Sequence, residues 1–292
     1  MKIQPECIPC MLKRALFEIE ISTRDKEKRE KALLVALKTF AEIYDPSLSS
    51  AEIATKLHKA VYEAVGNKDP YKELKEKSNE IALKLLPRVR EKVEESTDPL
   101  KTAMICSIIG NVLDFGIEGG SKSPESLTKE FDKLFLEGLG YDDYDEAKRL
   151  IKKARNITFI ADNCGEIVFD RLLCEKLKEF NPKMKVYLVV RGEPILSDAT
   201  IKEAEKLKFN EIVDGVLTTG SFAVGLDINN IPEDLKKTLK QSDLIICKGM
   251  ANYEALSETD FKPILYLLRT KCTAVARCMG LPVGINAIKL FR

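Results

Sequence analysis

Three oxygen-bearing side chains stand just past the ends of two apolar runs. "ITFIA" (157–161) stops at Asp162 and Asn163, and "KVYLVV" (185–190) leads into a loop carrying Arg191 and Asp198. Two carboxylates and an amide oxygen are hard ligands. They suit a divalent cation such as Mg2+ or Mn2+ that keeps waters in its other positions. An open position on such a cation is where a phosphate would bind. Asp162 or Asn163 also reads as the cap of a following helix. Cys164 beside them offers a third chemistry, a thiol near a helix N-terminus. Against it, His58 is the single histidine and lies in an amphipathic helical stretch, where a structural role is expected. The C-x5-R loop of cysteine phosphatases is also absent.

Further groups sit at comparable places. Glu166 follows the first pair, and Lys248 ends the run "DLIICK" (243–248). A buried-strand lysine beside carboxylates suits phosphate neutralisation, or else a plain rim ion pair. Arg269 and Lys271 follow "PILYLL" (263–268) with the same ambiguity. Gly220, Ser221 and Gly225 in "GSFAVG" either let backbone N–H groups approach a phosphate or form an ordinary turn. No G-x-G-x-x-G follows the first run and no Walker A loop occurs, so a nicotinamide cofactor is not expected. Cys7 and Cys10 form a C-x2-C pair, which is half a zinc site, a redox pair or two structural thiols. Cys272 and Cys278 are five residues apart in the intervening sequence, and nothing in the sequence brings them to the first pair.

These groups need elements to place them. Up to about residue 140 the apolar residues recur at three- and four-residue spacing, as in "KREKALLVALKTFAEIY" and "SSAEIATKLHKAVYEAV". Asp69-Pro70 and Asp98-Pro99 each open a helix by their capping chemistry. The second, "DPLKTAMICSIIGNVLDF", is apolar nearly all round and therefore central. After residue 150, short β-branched runs alternate with helical segments, the mark of βαβ units. The expected architecture is α/β. It is a doubly wound, mostly parallel sheet with helices on both faces (141–292), preceded by an all-helical domain (1–140). Ligands then bind beyond the carboxyl ends of the strands.

Composition narrows the function classes. The 292 residues are 45% hydrophobic and 32% charged, yet the net charge is only +1. That balance gives no electrostatic case for nucleic acid or an anionic membrane. No long apolar run or signal core is visible, so a cytoplasmic location is expected. Glutamine is nearly missing, with Gln4 and Gln241 only, a bias resembling thermophile proteomes. The oligomeric state is left open.

Taken in order, "CIPCMLKRAL", "IIGNVLDFG", "ADNCGEIVFD", "RGEPILSDAT", "SDLIICKGMANYEAL" and "LLRTKCTAVARCMGLPVG" resemble the motifs of the domain-of-unknown-function 89 family, the damage-control phosphatases. The C-x2-C pair resembles that of one subfamily. The resemblance runs from residue 7 to about 285 and implies a metal-dependent phosphatase acting on small phosphorylated metabolites. Sugar phosphates and damaged nucleotide-type phosphates are the expected classes. It implies Asp162, Asn163 and Asp198 as ligands of Mn2+, Ni2+, Co2+ or Mg2+. It implies Asn252, Lys271, Asn111 and Asp114 as substrate-facing groups, with Glu166 and Lys248 beside them. Catalysis would rest on Asp162, Asp198 and Lys248, with a metal-oriented water or a carboxylate attacking. This chain departs from the family pattern in Ser197, where Asn is usual, and in "KGMAN" and "GSFAVG". Two other classes compete: a non-catalytic metal- or partner-binding module, and an S-adenosylmethionine-dependent carboxyl methyltransferase.

Overall fold

The computed structural model describes residues 1–111 and 124–292. Helix α1 (Cys7–Ser22) is followed by α2 (Lys26–Ile43), which Asp25 caps by accepting from Lys28 N–H. Ser49 caps α3 (Ser50–Val65) in the same way, and Gly66 ends it in the left-handed conformation. Helix α4 (Lys72–Glu94) starts two residues later than the Asp69-Pro70 signal suggests. Asp69 accepts a backbone bond from Lys72 and pairs with Lys75, so its turn precedes the helix. Helix α5 (Pro99–Gly110) starts at its signal, with Asp98 accepting from Lys101 N–H. Most of its residues are buried, as its largely apolar sequence requires. Helix α6 (Pro124–Glu137) completes the first half.

The second half contains β1 (Tyr141–Asp142), α7 (Tyr144–Lys153), β2 (Asn156–Ile160), α8 (Glu166–Phe180), β3 (Lys185–Val190) and α9 (Ile201–Lys206). Then come β4 (Gly215–Thr218), α10 (Glu233–Gln241), β5 (Leu244–Lys248), α11 (Gly249–Leu256), β6 (Ile264–Arg269), α12 (Thr273–Met279) and β7 (Asn286–Phe291). The four quoted apolar runs are β2, β3, β5 and β6. Among the described residues, seven strands lie in the order β1-β7-β6-β5-β2-β3-β4, and all pairs are parallel except β6 with β7. The direction of winding reverses between β2 and β5. In such sheets, that is where strand ends part to leave a ligand crevice.

Successive strand residues point to opposite faces. Ile157, Phe159, Val186, Leu188, Leu244 and Ile246 join one core with α4, α5, α6, α7 and α8. Ile160, Val189, Ile245 and Cys247 join a second with α10, α11 and α12. Helices α1, α2 and α3 close a third cluster, which takes in Ile195 and Val224 from the loops beyond β3 and β4. The described helices α1 to α6 thus pack in two parts. One part lies on a sheet face, and the other lies over the strand-end loops.

Candidate active site

The end of β2 and the loop after β3 are sewn together by main-chain bonds. Ala199 N–H donates to the Asp162 carbonyl at 2.8 Å, and Cys164 N–H to the Ser197 carbonyl at 2.8 Å. Asn163 and Asp198 form an isolated antiparallel bridge. Two segments distant in sequence therefore present Asp162, Asn163 and Asp198 side by side. Ser197 Oγ donates to Asn163 Oδ1 at 2.6 Å, so the serine in the family's usual Asn position still bonds its neighbour.

Arg191 leaves β3 directly beneath this group and is only 1% exposed. Its Nε donates to Asp198 Oδ2 at 2.5 Å, Nη2 to Asp162 Oδ1 at 3.3 Å and Nη1 to Asn252 Oδ1 at 3.0 Å. One planar fork thereby fixes both carboxylates. Burial, then the charges of Asp198 and Glu166, push the Asp162 carboxyl well above its ordinary range, against the pull of Arg191 and Lys248. Burial likewise raises Asp198, opposed by Arg191. Burial and mutual repulsion thus outweigh the nearby protein cations, and a divalent cation would supply the missing positive charge.

A second layer lies behind Asp162. Glu166 and Asp170 are four residues apart, so they share one face of α8. Lys248 lies between them with its ammonium 0% exposed, and its Nζ donates to Glu166 Oε1, to Asp170 Oδ1 at 2.9 Å and to the Ser107 carbonyl at 3.1 Å. An ammonium has three protons, and each has an acceptor here. Burial alone would lower this lysine, but Asp170 and Glu166 outweigh it and raise it. Ser107 Oγ adds a bond to Asp170 Oδ1 at 2.6 Å. Asn111, at the end of α5, spans the two layers, with Nδ2 3.1 Å from Asp162 Oδ2 and 2.7 Å from Glu166 Oε2. Asn163 Nδ2 reaches the same Asp162 oxygen at 2.7 Å.

Asn252 is fully enclosed. Its Nδ2 protons go to the carbonyls of Ala161 at 3.1 Å and Lys248 at 2.8 Å, tying the ends of β2 and β5 across the switch point. Lys271 is exposed beyond β6, and its Nζ bonds the Asn111 carbonyl. Asp114 lies outside the described residues. Cys164 is buried 3.8 Å from the Asp198 carbonyl, and burial pushes its thiol far up, so it does not supply a thiolate. His58 pairs with Glu18 at 2.9 Å inside the α1–α3 cluster.

Cys7 and Cys10 occupy the first turn of α1, and Cys272 caps α12. Arg277, in the last turn of α12, pairs with Glu6 at the start of α1 at 2.8 Å. Burial pushes the Cys7 thiol to about 11, with Glu254, Cys272 and Cys10 close enough to add to the rise. Among the described residues, no group of three or more His, Cys, Asp or Glu side chains has metal-binding spacing. The strand-end set differs in kind. It pairs two carboxylates with an amide oxygen, without thiolate or imidazole, and this fits a hard divalent ion.

Sequence reasoning placed Arg191 in the loop after the second apolar run without giving it a partner. It gave Ser107 and Asp170 no role. The signal available was the four-residue spacing of Glu166 and Asp170 opposite a lysine at a strand end.

The family model of the damage-control phosphatase ARMT1-like domain matches residues 3–286. A protein of Archaeoglobus fulgidus named damage-control phosphatase is 41% identical over 290 residues, covering 99% of each chain. A damage-control phosphatase of Pyrococcus horikoshii is 34% identical over 284 residues, covering 97% of this chain and 96% of its own. A crystal structure of a DUF89 family protein from Pyrococcus horikoshii superposes with a TM-score of 0.91 at 32% identity over the full length of both chains. The chain belongs to the damage-control phosphatase ARMT1-like domain family.

Proposed function

We propose that the protein is a metal-dependent phosphatase of small phosphorylated metabolites, and that its C-x2-C pair places it in the subfamily carrying that motif. The observation that carries this reading is the convergence of Asp162, Asn163 and Asp198 over Arg191 at the topological switch of the sheet. The names of the relatives support the reaction class.

In this reading Asp162, Asn163 and Asp198 hold a divalent cation, Mn2+, Ni2+, Co2+ or Mg2+. When bound, it supplies Lewis-acid polarisation of a phosphoryl oxygen and offsets charge in the transition state. The protein's own part is positioning. Arg191 fixes the two carboxylates through one rigid fork. Asn111 and Asn163 donate to Asp162 Oδ2 and set its orientation. Lys248 has no proton left for a phosphate, so it acts through Glu166, keeping that carboxylate where Asn111 and Asn163 N–H meet it. Asn252 acts the same way through Arg191. Lys271, exposed beside Asn111, is the cation placed to meet an incoming phosphate.

The test is hydrolysis of p-nitrophenyl phosphate and sugar phosphates by protein stripped with chelator and then given each cation in turn. Restored turnover is expected. Asp162→Ala and Asp198→Ala should each lose about a hundredfold or more. Turnover that ignores the chelator, or full activity in Asp162→Ala, would sink the proposal.

A further inference from the structure

The loop that carries Asp198 is under backbone strain. Leu196 has φ 47°, a left-handed conformation that a residue with a branched side chain rarely adopts. Such residues persist where their surroundings over-determine them, and they gather at functional sites. Here Asp198 N–H closes the turn onto the Ile195 carbonyl at 3.1 Å. The next residue, Ser197, is held by Cys164 N–H and by Asn163. On the Leu196 side, one side chain from outside the loop bonds the backbone. Leu196 N–H donates to the phenol oxygen of Tyr62 at 3.0 Å.

Tyr62 belongs to α3, 134 residues away in sequence, and is buried at 5% exposure. Its ring meets Phe222 of the "GSFAVG" loop edge-on, with centroids 5.3 Å apart. Ile195, next to the strained residue, packs in the same apolar cluster as α3. The phenol is thus held in place by packing on one side and meets a strained main-chain donor on the other.

We propose that Tyr62 is a positioning residue for the reaction, holding Leu196 in its left-handed turn so that Asp198 faces Asp162 and Asn163. The proposal rests on the phosphatase reading for its kinetic consequence, and on the turn alone for its structural one. Without the phenol oxygen, the partly buried Leu196 N–H loses its acceptor. The turn then relaxes toward conformations that suit leucine, and the Asp198 carboxylate moves with it.

The experiment compares wild type with Tyr62→Phe, which keeps the ring against Phe222 and removes only the acceptor. Three readouts are taken: amide hydrogen exchange across 191–200, Mn2+ affinity by titration, and steady-state kinetics on p-nitrophenyl phosphate. Faster exchange confined to 195–199, Mn2+ affinity weakened severalfold, and kcat lowered about tenfold with KM within about twofold are expected. A second variant, Leu196→Gly, accepts the left-handed turn without strain. In that background the effect of Tyr62→Phe on kcat should shrink to less than about threefold.

Unchanged exchange in Tyr62→Phe overturns the proposal. So does an equal loss of kcat in both backgrounds, or an active wild type whose kcat is indifferent to the change. A wild type that hydrolyses no ester with any cation removes the phosphatase reading instead. Exchange then decides the positioning role, and it is overturned if exchange is unchanged.

Discussion

A β-carbon at Gly249 would lie 1.9 Å from Asp162 Oδ2 and 2.6 Å from its Cγ. The first residue after β5 must therefore be glycine for Asp162 to point where it does, and its φ of 68° makes the same demand. Gly249→Ala should fold less stably and lose about a hundredfold in kcat, measured beside its thermal midpoint. Lys248 leads to a different expectation. Removing it leaves Glu166 and Asp170 buried together without a counter-charge, so Lys248→Met should lose about 3–5 kcal/mol of stability in a denaturant melt. A mere rise in KM with unchanged stability would contradict this account. The same network has a pH signature. Burial, helped by Glu166, pushes Asp170 up to about 7 against the pull of Lys248 and Ser107. An acid whose folded pKa lies above its unfolded value holds its proton more tightly when folded. Stability from this group is thus present below the unfolded pKa and is lost as pH rises through about 7. Relative to Asp170→Asn, which cannot titrate, wild type should become less stable between pH 5 and pH 8 in parallel melts. At this scale the sequence disclosed Asp162, Asn163 and Asp198 because strand ends mark themselves by an abrupt change of polarity. The partners of Lys248 and Asn252 were hidden, because satisfaction of a buried donor depends on what other elements bring to it.

Helices α5 and α8 cross where Gly110 sits against Phe169. A β-carbon there would meet the Phe169 ring at 2.8 Å and Glu166 Cα at 3.2 Å. The close approach delivers Asn111 to Asp162 and the Ser107 carbonyl to Lys248. Gly110→Ala should force the helices apart and lower kcat by about tenfold, with the Asn111→Ala variant showing a loss of similar size. Nonadditivity of the two changes in the double variant would confirm that they act through one contact. Strands β2, β5 and β6 were legible as elements because each is buried on both faces and so reads as a nearly unbroken apolar run. The run "NAIKLF" of β7 is shorter in apolar residues, with Lys289 part-way to solvent, and its pairing is antiparallel to β6. No crossover helix announces it. Two-residue β1 carries no periodicity at all.

Across the molecule, the helical half and the sheet do not keep separate interiors. Leu85, Val89 and Met104 of α4 and α5 lie in one core with Phe159 and Leu188 of the sheet. A fragment comprising 141–292 would expose that face to water. It should therefore lack the cooperative unfolding transition of the whole chain in calorimetry. The break in periodicity near residue 150 was visible in sequence, but the sharing of a core across it was not, since periodicity reports an element's own faces and not what covers them. Helix α3 shows the same interdependence at the rim. Tyr62 meets both Leu196 and Phe222, and Thr55 Oγ1 accepts from Val224 N–H at 2.9 Å. One rigid helix therefore backs two adjacent strand-end loops. For directed evolution this sets the shape of the library. Randomising 221–224 alone samples loops against a fixed wall, whereas covarying Thr55 with Phe222 and Val224 lets wall and loop change together.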